Sequence, residues 1–319
     1  MDSSWSEPAS EGKPFALMQS ALPSTACKKR KQTRTTSESK HKPAGVSAIR
    51  VPPLSAENFG LIQEELANEP FALLVAVKLL NKTRGHFPDH SHPLSALNTF
   101  TRLMERYPTP EALAIAEVED MTATIRHLGL QNQRAKTLIA MAQTWVRAPP
   151  QKGVRYPTPG YPTHVQGAGK QIIDANSKSA YIDDESVDPR IDAFEIAHLP
   201  GIGPYALDSW RIFCRDVLRG LATSYNSDSQ TGRGPPHGDG RFEPEWKRVR
   251  PADKDLRAFL KWLWLKEGWI WDPETGERYR ASKQVMEEAE CGNVWFEANQ
   301  GKDETVTEEG TLTMTSARM

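Results

Sequence analysis

The sequence predicts an all-α protein. Apolar residues recur every three or four positions in its strongly periodic segments, capping residues precede several of those segments, and none of them alternates as a β-strand does. An amphipathic helix must bury its apolar stripe against a partner. The helices are therefore expected to pack around a common core.

The first clear helix follows Asn68 or Glu69 as its cap, with Pro70 in its first turn. Its apolar positions are Phe71, Leu74, Val75 and Leu79. Residues 81–83 and Gly85 end it. This segment has the caps and the period that a helix requires.

Further helices follow the same logic. Thr109 is a cap with Pro110 behind it, and Gly129 closes a short helix that carries Met121, Ile125 and Leu128. The period then predicts a helix over about 131–146, a second over 205–218 that ends at Gly220, and a third after Asp253.

Composition divides the chain into a folded part and tails, since only 38% of the 319 residues are hydrophobic. Residues 1–55 are polar and proline-rich and are predicted to be a disordered tail. Residues 56–268 are predicted to be one domain with surface insertions at 148–190 and 221–244, and residues 269–319 an extension with an acidic tail. Trp269, Trp271 and Trp295 suggest that part of this extension packs on the domain.

Several function classes are excluded on simple grounds. No run of about 18 apolar residues exists, and the first 30 residues lack an apolar signal core, so an intracellular protein away from membranes is expected. Three scattered cysteines are too few for a four-thiolate cluster, so neither a metal nor a cofactor is expected. Net charge is only −1, yet basic residues cluster in the first tail: Lys28, Lys29, Arg30, Lys31 and Arg34. That cluster is an import signal to the nucleus, a DNA-binding arm, or a solvated charge run.

A glycine-rich hairpin is the first candidate binding feature. A predicted helix leads into Leu199-Pro200-Gly201-Ile202-Gly203, and Pro204 opens the next helix. Glycines allow close backbone approach, and the helix start adds unpaired N–H donors, so the natural ligand is a phosphate. An ordinary corner between two helices would have the same composition.

Asp253 is the candidate catalytic carboxylate. Lys247, Arg248 and Arg250 precede it, and basic residues beside a carboxylate suit a site where a DNA strand passes a general base or a cation stabiliser. By composition alone, an N-cap for the following helix is the simpler interpretation.

Together these segments resemble the helix-hairpin-helix, Gly-Pro-Asp DNA glycosylases, and within them the thymine glycosylase domain of the methyl-CpG-binding proteins. The resemblance runs through residues 61–83, 128–130 with 134–137, 201–203 with 205 and 208–214, and 249–264, and stays within about 59–268. It implies a monomeric, metal-free fold of about ten helices in two lobes. The resemblance does not extend to residues 1–55, where no methyl-CpG-binding domain is expected.

The resemblance also implies roles for single residues. Asp253 supports hydrolysis of the N-glycosidic bond, and Gln63 and Tyr205 contact the flipped pyrimidine. Bifunctional relatives carry a Schiff-base lysine after the second hairpin glycine, where this chain has Pro204 and Tyr205, so hydrolysis without strand cleavage is expected.

Further positions are expected to contact DNA. Lys82 fills the space of the flipped nucleotide, Leu130 wedges the opposite strand, and the backbone near Leu128 and Arg134 faces the orphaned guanine. Lysine replaces the arginine of the animal enzymes at 82, which removes planar stacking and forked donors from that plug. The expected DNA-binding set is Asn81, Lys82, Leu128, Leu130, Arg134, Leu199, Gly201, Ile202, Gly203, Lys247 and Arg250.

The function expected from the resemblance is removal of thymine or uracil opposite guanine in double-stranded DNA, followed by an AP endonuclease. Two alternatives stay open: an adenine or alkylated-purine glycosylase, and a DNA-binding scaffold without catalysis. Retention of Asp253 together with Gln63 and Tyr205 speaks against the scaffold.

Overall fold

The computed structural model describes residues 51–83, 95–162, 181–182, 193–226 and 243–292. Over these ranges the chain is all-α in class, as predicted, with five short strands. The helices are α1 (Ile62–Glu65), α2 (Pro70–Leu80), α3 (Ala96–Arg106), α4 (Pro110–Ala114), α5 (Val118–Ile125), α6 (Gln131–Arg147), α7 (Pro204–Phe213), α8 (Arg215–Leu218), α9 (Lys254–Lys266) and α10 (Lys283–Glu290). Two 3₁₀ turns, Arg126–Leu128 and Glu245–Arg248, precede Gly129 and Val249. The basic cluster at 28–34 lies outside the described residues.

The predicted caps are largely confirmed. Pro70 lies in the first turn of α2, and the Thr109 hydroxyl accepts a hydrogen bond from the Ala112 N–H at the start of α4. Glu69, however, precedes α2 without a side-chain hydrogen bond to the helix. The helix expected over 205–218 is two helices, because the chain breaks at Cys214 between α7 and α8.

Two segments of the first insertion, together with residues 193–194 just after it, form a small sheet, where an irregular segment was predicted. Strand β1 (Val154–Pro157) pairs antiparallel with β2 (Tyr181–Ile182) on one side and with β3 (Ala193–Phe194) on the other. The register places Arg155 opposite Tyr181 and Tyr156 opposite Phe194. Strands of two to four residues are too short to show an alternating pattern in the sequence.

The arm that leads into the hairpin also differs from the prediction. It is β3 followed by turns at 195–198, with the Leu199 N–H bonded to the Ile196 carbonyl at 3.0 Å, and it is not a helix. Pairing of β3 with β1 fixes this arm, so the hairpin is held by the sheet on one side and by α7 on the other.

The core extends beyond both predicted domain boundaries, 56 and 268. Val51 is buried before the first helix, and Trp271 is buried in β4 (Trp269–Trp271), which pairs antiparallel with β5 (Arg278–Arg280). Trp269 also packs against the core, whereas Trp295 lies outside the described residues. Among the described helices, none is long and apolar enough to cross a membrane.

Helices α1, α7 and α9 carry the candidate catalytic and base-binding residues at or next to their first turns, and α2 packs on two of these helices. α2 packs on α3, on α6 and on α7, and α1 packs on α2 and α7. Phe213 at the end of α7 lies against Phe259 of α9, with ring centroids 5.1 Å apart. The starts of α7 and α9 and the short helix α1 face one region of the molecule, since Gln63 bonds to Tyr205 and the charge of Asp253 raises the pKa of Tyr205.

Candidate functional site

The hairpin exposes backbone where the sequence predicts a phosphate site. Gly201 has a φ of +73° and is exposed, while Gly203 is the N-cap of α7 and Pro204 occupies its first turn. Leu199 is buried and Ile202 packs against the core. Two of the four predicted hairpin residues therefore anchor the loop, and the two glycines present its backbone.

Lys78 ties the hairpin to the end of α2. Its Nζ donates to the Gly201 carbonyl at 2.6 Å, and burial, helped by the charges of Arg134 and Lys82, lowers the pKa of Lys78. A lysine on a helix gives no sequence signal for such a contact. This hydrogen bond therefore fixes the position of the hairpin relative to the C-terminal end of α2.

Gly201→Ala is expected to lower the free energy of unfolding by about 2–3 kcal/mol and to weaken DNA binding. A Cβ at this position would lie 2.3 Å from Thr137 Cγ2 and 2.7 Å from Lys78 Nζ, in a backbone conformation that disfavours a side chain. Gly160→Ala is the matched control, because Gly160 has a φ of +76° and open space around its Cβ position. Thermal melting of both variants tests this; equal destabilisation would contradict the close packing at Gly201.

Arg134 is a clasp on the C-terminal end of α2. Its Nη1 donates to the carbonyls of Lys78 and Leu79 at 3.2 and 2.6 Å, and its Nη2 donates to the carbonyl of Asn81 at 2.8 Å. The side chain is buried, and burial lowers its pKa. Arg134 thus holds the loop that carries Asn81 and Lys82, and its side chain faces this loop.

Lys82 and Leu130 share an unusual backbone. Among the described residues they are the only non-glycine positions with positive φ, at 58° and 53°. Both side chains are exposed, Leu130 to 57%, whereas Leu128 is buried. Such conformations cost of order 1 kcal/mol and concentrate at functional sites. The two residues expected to plug and wedge the duplex therefore project from strained turns.

Gln63 and Tyr205 meet although they are far apart in the sequence. The Gln63 Nε2 donates to the Tyr205 Oη at 3.0 Å, joining α1 to the first turn of α7. Burial, and next the charge of Asp253, raise the pKa of Tyr205, so the phenol keeps its proton. Gln63 is only 2% exposed, so a base would reach it only after side chains around it move.

Asp253 begins α9 and is its N-cap. Its Oδ1 accepts hydrogen bonds from the N–H groups of Asp255 and Leu256, both at 3.0 Å. The simpler interpretation of its position is thus confirmed, and it does not compete with a catalytic one. The positive end of the helix favours a negative charge there, and the charge of the same carboxylate raises the pKa of Tyr205.

Comparison with known proteins decides the family. Residues 94–275, more than half of the 319-residue chain, match the model of the HhH-GPD superfamily of base excision DNA repair proteins. The chain belongs to this superfamily. The matched range includes the hairpin, Tyr205 and Asp253.

Two relatives with known names share a shorter stretch. The chain is 37% identical over 75 residues to a thymine-DNA glycosylase of Aeropyrum pernix, which is 24% of this chain and 30% of that protein. It is 35% identical over 81 residues to a thymine/uracil-DNA glycosylase of Pyrobaculum aerophilum, 25% of this chain and 32% of that protein. The matches span about a third of the length of these curated relatives.

A second carboxyl near the site of this HhH-GPD protein was not singled out from the sequence. Asp208 lies one helical turn after Tyr205, is 4% exposed, and accepts a hydrogen bond from Tyr161 Oη at 2.7 Å. Burial, with a smaller contribution from Asp253, raises its pKa to about 6. Its spacing from Tyr205 is the one signal that the sequence offered.

Asp208 begins a buried chain of charged groups. Tyr161 Oη also accepts from Arg211 at 3.2 Å, and Arg211 Nε donates to Glu245 at 2.6 Å. Burial alone would raise the pKa of Glu245, but the charges of Arg215 and Arg211 bring it down to about 2. Because buried charges must be paired, this network fixes α7 against Tyr161 in the first insertion and against the 3₁₀ turn that follows the second.

Two predicted DNA contacts have partners within the HhH-GPD domain. Lys247 Nζ lies 2.7 Å from Glu267 and over the rings of Trp246 and Trp264. Arg250 donates to the carbonyls of Pro273 and Glu274 after β4. Binding of DNA by either side chain stays a prediction, and it would compete with these contacts. Within the described ranges, no three His, Cys, Asp or Glu residues are grouped as metal ligands.

Proposed function

We propose that this protein is a monofunctional DNA glycosylase that removes thymine or uracil opposite guanine and leaves an abasic site. The observation that carries the proposal is the pairing of Gln63 with Tyr205 beside Asp253 in an HhH-GPD protein. The names of the two archaeal relatives support the choice of base.

The tyrosine supplies a directed donor. Because Gln63 Nε2 donates to the phenol oxygen, the Tyr205 proton is available for a carbonyl oxygen of the base. The raised pKa keeps that proton in place near neutral pH. A pyrimidine flipped out of the duplex presents such carbonyls, and a hydrogen bond to one of them stabilises the charge of the leaving base.

The Asp253 carboxylate supplies the opposite charge. As the N-glycosidic bond breaks, C1′ acquires oxocarbenium character, which a nearby carboxylate stabilises. The same carboxylate can orient the attacking water. Its hydrogen bonds to the first turn of α9 hold it in one orientation, so little reorganisation is needed.

The absence of a Schiff-base nucleophile at position 205 makes hydrolysis the expected reaction. Tyrosine at that position does not form the covalent imine on which strand cleavage depends. The proposal therefore includes an abasic product for an AP endonuclease, and a monomer acting on double-stranded DNA in the nucleus.

Duplexes labelled on one strand and carrying G·T, G·U or A·8-oxoguanine test this proposal. The labelled T or U strand is expected to be cut only after alkali, since alkali opens the abasic site. Cutting without alkali would show lyase chemistry and contradict the monofunctional assignment. Excision of adenine would favour the purine alternative, and DNA binding without any abasic product would favour a scaffold.

A further inference from the structure

A basic groove lies outside the site described above. It has a volume of about 500 Å³ and lies between α3 and the segment that ends α5. Its lining residues are Arg102, Arg106, Ala123, Thr124, Arg126 and His127, named here the arginine groove.

Arginine side chains make up half of the lining of the arginine groove. Three guanidinium groups line it; Arg106 lies 2.7 Å from Asp120, which also accepts from Tyr107 Oη, and Arg102 Nε donates to the Asn98 carbonyl of its own helix at 3.3 Å. His127 Nε2 lies 2.7 Å from Thr99 Oγ1, and burial and the charge of Arg102 lower its pKa. In a chain with a net charge of −1, this concentration favours an anionic ligand.

The groove adjoins the exposed wedge. Arg126 and His127 belong to the 3₁₀ turn that ends at Leu128, and Gly129, with a φ of +76°, turns the chain into Leu130. A 3₁₀ turn rises about 2 Å per residue. Arg126 and Leu130 are four residues apart, so their Cα atoms lie within roughly 14 Å, the span of a fully extended chain, or about four nucleotide steps of 3.4 Å along a strand.

We propose that the arginine groove binds backbone phosphates of the DNA strand opposite the excised base. Guanidinium groups match phosphate oxygens as forked donors, and Arg102, Arg106 and Arg126 offer three of them from two directions. The inference rests on the proposed function, because that function places Leu130 at the opposite strand. It gives the groove a part in duplex recognition that Tyr205 and Asp253 do not have.

Binding of an abasic-analogue duplex by R102Q/R126Q tests the inference. The double variant is expected to bind the duplex about tenfold more weakly, and the slope of log affinity against log salt is expected to fall by about 0.9 for each lost phosphate contact. Affinity for the lesion strand alone should stay within about twofold, since that strand does not reach the groove. R147Q is the matched control, because Arg147 is exposed at the end of α6 and bonds to its own helix at Gln143.

The strand assignment has its own test. Neutral methylphosphonate linkages placed in turn within about four nucleotides of the orphaned guanine should, at the phosphate that the groove contacts, weaken binding of the unmodified protein and add nothing to the loss in R102Q/R126Q. Equal losses on duplex and lesion strand, or unchanged salt slopes, would overturn the proposal. Inorganic phosphate could also raise the melting temperature of the unmodified protein and not that of R102Q/R126Q. If the double variant then bound the duplex as tightly as the unmodified protein, the proposal would also be overturned. These readouts use an abasic analogue, so they stand even if the unmodified protein excises nothing.

Discussion

Asp253→Asn is expected to slow excision by roughly 10²–10³-fold while DNA affinity stays within about threefold. Asparagine is as good an N-cap as aspartate, so it can keep the hydrogen bonds from the Asp255 and Leu256 N–H groups. The substitution therefore removes the charge with little change in structure. Single-turnover excision of a G·T duplex, beside binding of an abasic analogue, measures both quantities.

Asp253→Ala separates capping from charge. Alanine loses the cap as well as the charge, so it should cost about 1 kcal/mol of stability that the asparagine variant retains. Excision should fall equally in both variants, because only the charge stabilises the oxocarbenium ion. An active asparagine variant would transfer the role to another carboxyl, with Asp208 the first to examine.

The helices could be predicted because their signals are local. Pro70, Thr109 and Gly129 mark helix ends through their own backbone preferences, and the structure has helix ends at all three. The sheet of β1, β2 and β3 could not be predicted in the same way, since its strands come from 154–157, 181–182 and 193–194. Their pairing depends on tertiary contacts that no local period records.

The site shows the same division between local and distant information. Tyr205 and Asp253 were predicted through the motif around them, and the contact between Gln63 and Tyr205 joins residues 142 positions apart. That the backbone near Arg134 faces the orphaned guanine stays a prediction, and the buried Arg134 side chain holds the loop after α2. Charged residues are normally predicted to be exposed to solvent. Neither the buried hydrogen bonds of Arg134 nor the buried network of Arg211 and Glu245 could therefore be predicted from composition.

Two of the predicted DNA-contacting residues, Lys82 and Leu130, have backbone conformations that depart from local preference. Lysine and leucine rarely adopt positive φ, and the sequence gives no reason for either to do so. Arg134 holds the backbone on one side of Lys82, and Gly129 releases the chain just before Leu130. Neighbouring residues thus support both turns, and local propensity gives no indication of either conformation.

Asp208→Asn is expected to stabilise the protein above pH 6 and to impair excision at the same time. The carboxyl has a pKa of about 6 when folded, against roughly 3.9 in an unfolded chain. The unfolded state thus loses this proton first as pH rises, and the unmodified protein loses up to about 3 kcal/mol of stability between pH 4 and pH 6. Asparagine avoids this loss, but its amide needs a new partner, so a net gain of about 1–2 kcal/mol at pH 8 is expected.

The excision rate of Asp208→Asn should fall under the same conditions in which its stability rises. A carboxylate within about 8 Å of the reacting sugar contributes on the order of 2 kcal/mol, or roughly 30-fold, to stabilisation of an oxocarbenium ion. The ratio of unmodified to variant rate should therefore be largest at pH 8 and shrink through pH 6, where Asp208 gains a proton in the unmodified protein. Asp216→Asn is the matched control, because Asp216 is also buried with a pKa raised to about 6, chiefly by burial and then by Glu245.

Unfolding curves and single-turnover rates at pH 5 to 8 for both variants distinguish the two roles. Asp216→Asn should change the pH dependence of stability in the same way as Asp208→Asn, and it should leave the pH profile of excision unchanged. If Asp208→Asn behaved in the same way, the carboxyl would belong only to the buried network that fixes α7. A shifted excision profile in Asp208→Asn alone would show that a buried charge is kept at the expense of stability because the reaction uses it.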